Sequence, residues 1–93
     1  MLVGTIQIEF LLPGCLSLKE KRVVVKSLKT KIRNRFNVSV AEVAYQDKWQ
    51  RSILAVANVS NEKKYIEEIL NKILRFAESE TRIEVLDHLI EIF

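Results

Sequence analysis

The feature that most constrains what this chain can fold into is the two-residue alternation at its start. Leu2, Gly4, Ile6, Ile8, Phe10 and Leu12 alternate with Val3, Thr5, Gln7, Glu9 and Leu11, and a period of two places these sets on opposite faces of a β-strand. Leu12, Pro13, Gly14 and Cys15 loosely resemble a lipoprotein processing site. No basic residue precedes the apolar run, however, and polar Thr5, Gln7 and Glu9 interrupt it as in a half-buried strand. No run reaches the roughly 18 apolar residues of a membrane span, so no membrane association is expected.

Pro13 and Gly14 end this strand. Ser17 followed by Glu20 forms a capping-box pattern, in which a hydroxyl and a carboxylate satisfy free amides at a helix start. The spacing predicts a helix from Leu18 to Phe36 with Val24, Val25, Leu28, Ile32 and Phe36 as its buried stripe. A β-branched stretch, Asn37 to Tyr45, and the apolar run within Arg51 to Val59 read as a hairpin around the polar loop Gln46 to Gln50. The unbroken run Ile53 to Ala57 suits a central strand covered on both sides.

Ser60 or Asn61 can cap a second helix, whose stripe is Ile66, Ile69, Leu70, Ile73, Phe76 and Ala77, with Glu62 near its start and Lys72 and Arg75 near its end. The last segment, Arg82 to Phe93, alternates as a strand but changes phase, which predicts a bulge near Asp87. Strand, helix, strand, strand, helix, strand with right-handed crossovers is the α+β ferredoxin-like sandwich: a four-stranded antiparallel sheet with both helices on one face. The whole chain, 1–93, reads as one such domain. The bare sheet face is expected to present Thr5, Gln7, Glu9, Ser39, Ala41, Val43 and Tyr45, and being half apolar it suits cover by a partner subunit.

A chain of 93 residues buries roughly 60 to 65% of its unfolded surface, enough for one core but not for a core and a large enclosed active site. A multidomain enzyme is excluded. Cys15 is the sole cysteine and His88 the sole histidine, which excludes an internal disulfide, a thiolate-based structural zinc site and a metal cluster, and reads as an intracellular chain. No cofactor is expected.

Ser17 to Arg22 reads SLKEKR, Arg35 to Val43 reads RFNVSVAEV, and Asp47 to Arg51 reads DKWQR followed by ILAVANVS. In that order and spacing these segments resemble the YlxP-like family of small bacterial proteins, over essentially the whole chain. The resemblance implies a ferredoxin-like fold and a cytoplasmic protein whose gene often lies among genes for translation initiation and ribosome maturation. The family is of unknown function, and the resemblance carries no catalytic residue.

Chemistries hosted by this fold elsewhere mostly fail on these residues. An acylphosphatase-like site needs an arginine in the first strand-to-helix loop beside an asparagine on the third strand; Asn58 is near the right place, but Leu12 to Leu16 holds no arginine. Metal transfer needs two cysteines. Base stacking on the central strands needs aromatics that Arg51 to Val59 lacks. Cys15 and His88 read as a small packed side chain and a partly buried structural histidine. Glu9 and Glu42 approach one another only if both lie on the open sheet face. At the hairpin tip, Trp49 is either an anchor for a partner, with Tyr45 and Val43 beside it, or packs over the sheet edge on Tyr45 or the second strand.

Charge is uneven. Residues 17–36 carry eight basic side chains and one acid, a net +7, whereas the other 73 residues carry seven basic and eleven acidic, a net −4. Lys19, Arg22, Lys26, Lys29 and Arg33 are spaced 3, 4, 3 and 4, which places all five on one stripe of the first helix, with Lys21, Lys31 and Arg35 to its sides. Like charges at these spacings each oppose the helix by about 0.2 to 0.5 kcal/mol, a cost an extended polyanion relieves. The opposing reading is a solvated face, partly neutralised by Glu62, Glu67, Glu68 and Glu78 of the second helix. With no aromatic interleaving, recognition would be of backbone or shape. The stripe therefore points to a non-enzymatic accessory protein that binds structured RNA or a ribosomal particle. The alternative is a homo-oligomeric interaction module using the bare sheet face and Trp49.

Overall fold

The computed structural model describes residues 1–93. Six elements follow in chain order: β1 (Leu2–Leu11), α1 (Leu18–Arg35), β2 (Ser39–Ala44), β3 (Arg51–Ser60), α2 (Lys63–Glu78) and β4 (Glu84–Ile92). The sheet order is β2-β3-β1-β4, with every neighbouring pair antiparallel. This is the ferredoxin-like α+β sandwich that the element pattern predicts.

Alternation in β1 decides where the core lies. Ile6, Ile8, Phe10 and Leu12 are buried and meet Leu54 and Val56 of β3, Val24, Val25, Leu28 and Ile32 of α1, and Ile66, Leu70, Ile73, Leu74 and Ala77 of α2 in one cluster. Gly4 lies on the same face. A Cβ there would sit 2.0 Å from Ile66 Cγ2, so glycine lets α2 pack directly on the β1 backbone. No helix is long and apolar enough to cross a membrane.

Local signals behave as read at the first helix. The Ser17 hydroxyl accepts from the Glu20 amide at 3.1 Å, and the Glu20 carboxylate accepts from the amide of Leu16, one residue earlier than the usual reciprocal partner, at 2.5 Å. Phe36 caps the C-terminus instead of forming the last helical residue. At α2 the expected caps are corrected. Glu62 occupies the cap position without a side-chain bond, and Ser60 accepts the Glu62 amide just outside the helix.

The sheet follows the predicted phase change: Glu9 pairs with Asp87 and Phe10 with Val85, which leaves Leu86 as the bulge. A second bulge was not legible in the sequence. Pairing passes from Glu42↔Leu54 to Ala44↔Ile53, so Val43 has no partner. β2 accordingly begins at Ser39 and ends at Ala44, shorter than the Asn37 to Tyr45 expectation, and Tyr45 leaves it with a left-handed φ of 61°. That conformation costs a non-glycine residue about 1 to 2 kcal/mol. Two hydrogen bonds to the Tyr45 carbonyl, from the Lys48 amide at 3.0 Å and the Lys21 ammonium, hold it there. β3 is central, but helices cover only one of its faces; Ile53, Ala55 and Ala57 line the open face and are half-buried.

Candidate nucleic-acid interface

α1 lies over the β2 side of the sheet, and its apolar stripe turns the intervening positions toward the β2 edge and solvent. Arg22, Lys26, Lys29 and Arg33 line a groove of about 330 Å³ between the helix and β2, together with Lys21, Val25, Thr30 and Glu42. Four of the five stripe residues are thus brought together. Lys19 is exposed on the first turn and lies outside the groove.

The basic residues divide by what they touch. Lys21 is buried and pairs with Glu42 at 3.0 Å, Lys31 approaches Glu80 at 3.7 Å, and the Arg35 guanidinium lies 5.0 Å from the Phe76 ring centroid. These three flanking residues are committed to holding α1 on its neighbours. Arg33 donates to the Val40 carbonyl of β2 at 2.9 Å. Arg22, Lys26 and Lys29 make no side-chain hydrogen bond and no ion pair. None of the α2 glutamates pairs with the stripe, and Glu67 turns instead to Lys63 of its own helix at 3.9 Å. The neutralisation expected from α2 is absent in direct contacts.

Sequence reasoning missed the role of Lys21, which it placed only to the side of the stripe. Its ammonium also donates to the Tyr45 carbonyl, and the Glu42 carboxylate accepts the hydroxyl of fully buried Ser52 at 2.5 Å. The only available signal was a basic residue three positions before Val24, on the flank of the apolar stripe. Glu42 pairs with Leu54 on the helix-covered face, whereas Glu9 lies on the open face and receives the Arg51 guanidinium, with Nε at 2.7 Å. The two carboxylates occupy opposite faces and cannot act as a pair.

Other singled-out residues fall into place. Cys15 is buried, and that burial, with a smaller push from Glu20, raises its thiol pKa above the ordinary value, the opposite of an activated nucleophile. His88 corrects its expectation. It is exposed because β4 is an edge strand, and Leu86, expected beside it, is the bulge. Asn58 is buried and donates to the Asn37 carbonyl at 3.0 Å, joining β3 to the segment before β2.

The hairpin Tyr45–Gln50 forms the second feature of the surface. Trp49 remains 54% exposed at the hairpin tip. It lines an open cleft of about 580 Å³ with Tyr45, Asp47, Lys48, Gln50, Arg51 and Leu11. The Arg51 guanidinium lies 4.6 Å from the Tyr45 ring centroid, and Gln50 donates to the Cys15 carbonyl at 3.1 Å. Val43 is exposed at the bulge.

Residues 3–90 match the family described as Protein of unknown function (DUF503). The chain belongs to this YlxP-like family. A DUF503 relative, the uncharacterized protein YlxP of Bacillus subtilis (strain 168), is 40% identical over 83 residues, covering 89% of this chain and 90% of the relative. Among solved structures, a de novo designed protein with ferredoxin fold, determined by solution NMR, aligns with a TM-score of 0.54 over 100% of this chain and 84% of its own, at 12% identity. That likeness shows the fold of this DUF503 chain alone.

Proposed function

We propose that this protein is a non-enzymatic accessory factor that binds structured RNA or a ribosomal particle through the α1 groove. The observation that carries this reading is the division of the basic residues. Those on the flanks have partners within the protein, and Arg22, Lys26 and Lys29 have none while lining one continuous groove. Unpaired like charges at helical spacing repel one another, and a phosphate backbone both relieves the repulsion and releases its own counterions. The gene context implied by the family resemblance points the same way. Recognition is of backbone and shape, since the groove offers cations and no aromatic ring.

Fluorescence anisotropy of structured ribosomal RNA, titrated with the wild type and a Lys26→Glu, Lys29→Glu, Arg33→Glu variant over a salt series, tests the proposal. The expected result is a steep salt slope that flattens by about 2 to 3 in the variant, since each lost phosphate contact removes about 0.9 from the slope. Because Arg33 also bonds Val40, the Lys26→Glu, Lys29→Glu double variant controls for fold. Identical weak binding by all three proteins would overturn the reading.

A second reading is a homo-oligomeric module, favoured by the apolar side chains left outside the core: Val59 and Leu89 are each more than half exposed, and Ile53, Ala55 and Ala57 of β3 are half-buried on the open face. Sedimentation at high concentration tests this second reading. A mass above that of the monomer supports the module, and a strictly monomeric mass removes it.

A further inference from the structure

Lys21 belongs to the lining of the α1 groove, and its ammonium reaches the carbonyl of Tyr45, which itself forms one wall of the hairpin cleft. One hydrogen bond thus ties a residue of the groove to a residue of the cleft, and the two concave features differ in chemistry. In the cleft the charges balance in number: Arg51 is paired with Glu9, and the lining holds one further cation, Lys48, and one anion, Asp47. It has no excess of positive charge to hold a phosphate. What it presents is ring surface, chiefly Trp49, 54% exposed on a loop whose base is fixed by the Gln50 bond to the Cys15 carbonyl.

We infer that the hairpin cleft is a stacking site for one unpaired nucleobase of the RNA whose backbone lies along α1. This rests on the reading of α1 as a phosphate-binding surface. An exposed indole accepts the π-face of any base, and a base that is already unpaired enters without the cost of leaving a helix stack. The left-handed Tyr45 supports the assignment, since backbone held in a disfavoured region by surrounding bonds is a feature of built ligand sites. The cleft turns the protein from a general binder of A-form backbone into one that prefers RNA with a bulge or loop.

The chain has a single tryptophan, so its own emission reports on the site. Two RNA stems are titrated at fixed salt, identical except that one carries a bulged adenine. The bulged stem is expected to quench Trp49 and to bind about tenfold tighter than the paired stem, within the range for stacking one base. Trp49→Ala is expected to reduce the bulged stem to the affinity of the paired one without changing the salt slope, and Trp49→Phe to recover part of the difference. Equal binding of both stems with a normal salt slope, or a preference that survives Trp49→Ala, overturns the stacking site and leaves the α1 reading standing. If neither stem binds the wild type, both readings are overturned.

Discussion

The Lys21 ammonium meets the Glu42 carboxylate at 3.0 Å, one side chain rising from the second turn of α1 and the other standing on the helix-covered face of β2. Lys21 is only 1% exposed. An ammonium so placed is stable only because Glu42 compensates its charge while the Tyr45 carbonyl accepts from it and Ser52 donates to the same carboxylate. Replacing Lys21 by Met leaves the largely buried Glu42 carboxylate without its cation and removes one of the two hydrogen bonds to the left-handed Tyr45. The expected cost is about 3 kcal/mol, read as a lower urea midpoint at unchanged slope. A Lys21→Met, Glu42→Leu double variant should recover much of it. A single variant as stable as the wild type would show the pair to be dispensable.

Gly4 governs the approach of α2. Alanine there meets Ile66 Cγ2 at 2.0 Å and Leu70 Cδ1 at 3.2 Å, and the γ2 methyl of a β-branched side chain has little freedom to move away. Gly4→Ala is expected to destabilise by about 1 to 3 kcal/mol. Ile66→Leu, which removes that methyl at equal volume, should be less costly in the Gly4→Ala background than in the wild type. Additive losses in thermal unfolding would place the strain elsewhere.

Glu80 makes one acid-sensitive contribution to stability. Side-chain hydrogen bonds from Arg82 lower its pKa from the ordinary value of 4.5 to about 2, with help from the Arg82 amide and from Lys31. Arg82 also donates to Ser27 at 3.2 Å, so the cluster ties the turn before β4 to α1. A carboxylate with a lowered folded pKa contributes stability that is full above 4.5 and disappears as pH falls toward 2. The whole shift corresponds to at most about 3 kcal/mol, and screening at the partly exposed Arg82 brings it nearer 1. Glu80→Gln should lower stability at pH 7 and lose less of it between pH 5 and 2 than the wild type does. Parallel acid titrations of the two proteins, followed by circular dichroism, would contradict this.

The elements were legible where a pattern had to be obeyed over many residues. The eleven-residue alternation of β1, the Ser17 and Glu20 box and the phase change around Leu86 each left a periodic trace in the sequence, and each stands in the structure. Val43 did not. A bulge near the end of a six-residue strand leaves too few residues after it for a new phase to show, so nothing in the pattern reveals it. That one displacement put Tyr45 outside the strand. The helix-covered side of Glu42 was hidden for a different reason: a carboxylate in a strand is expected to face water unless its partner, here a lysine 21 residues earlier, is known.

By itself the sequence determined the order of elements, the face each buries and the concentration of cations on the first helix, because these depend on spacing along one chain. Which of those cations stay free is a property of distance between chain segments. The fold drew Lys21 to Glu42, Lys31 to Glu80, Arg35 to Phe76 and Arg33 to Val40, and left Arg22, Lys26 and Lys29 without a partner in one groove. Only the tertiary structure could make that selection, because a charge is neutralised by whatever lies within a few ångströms of it and not by its neighbours in the sequence.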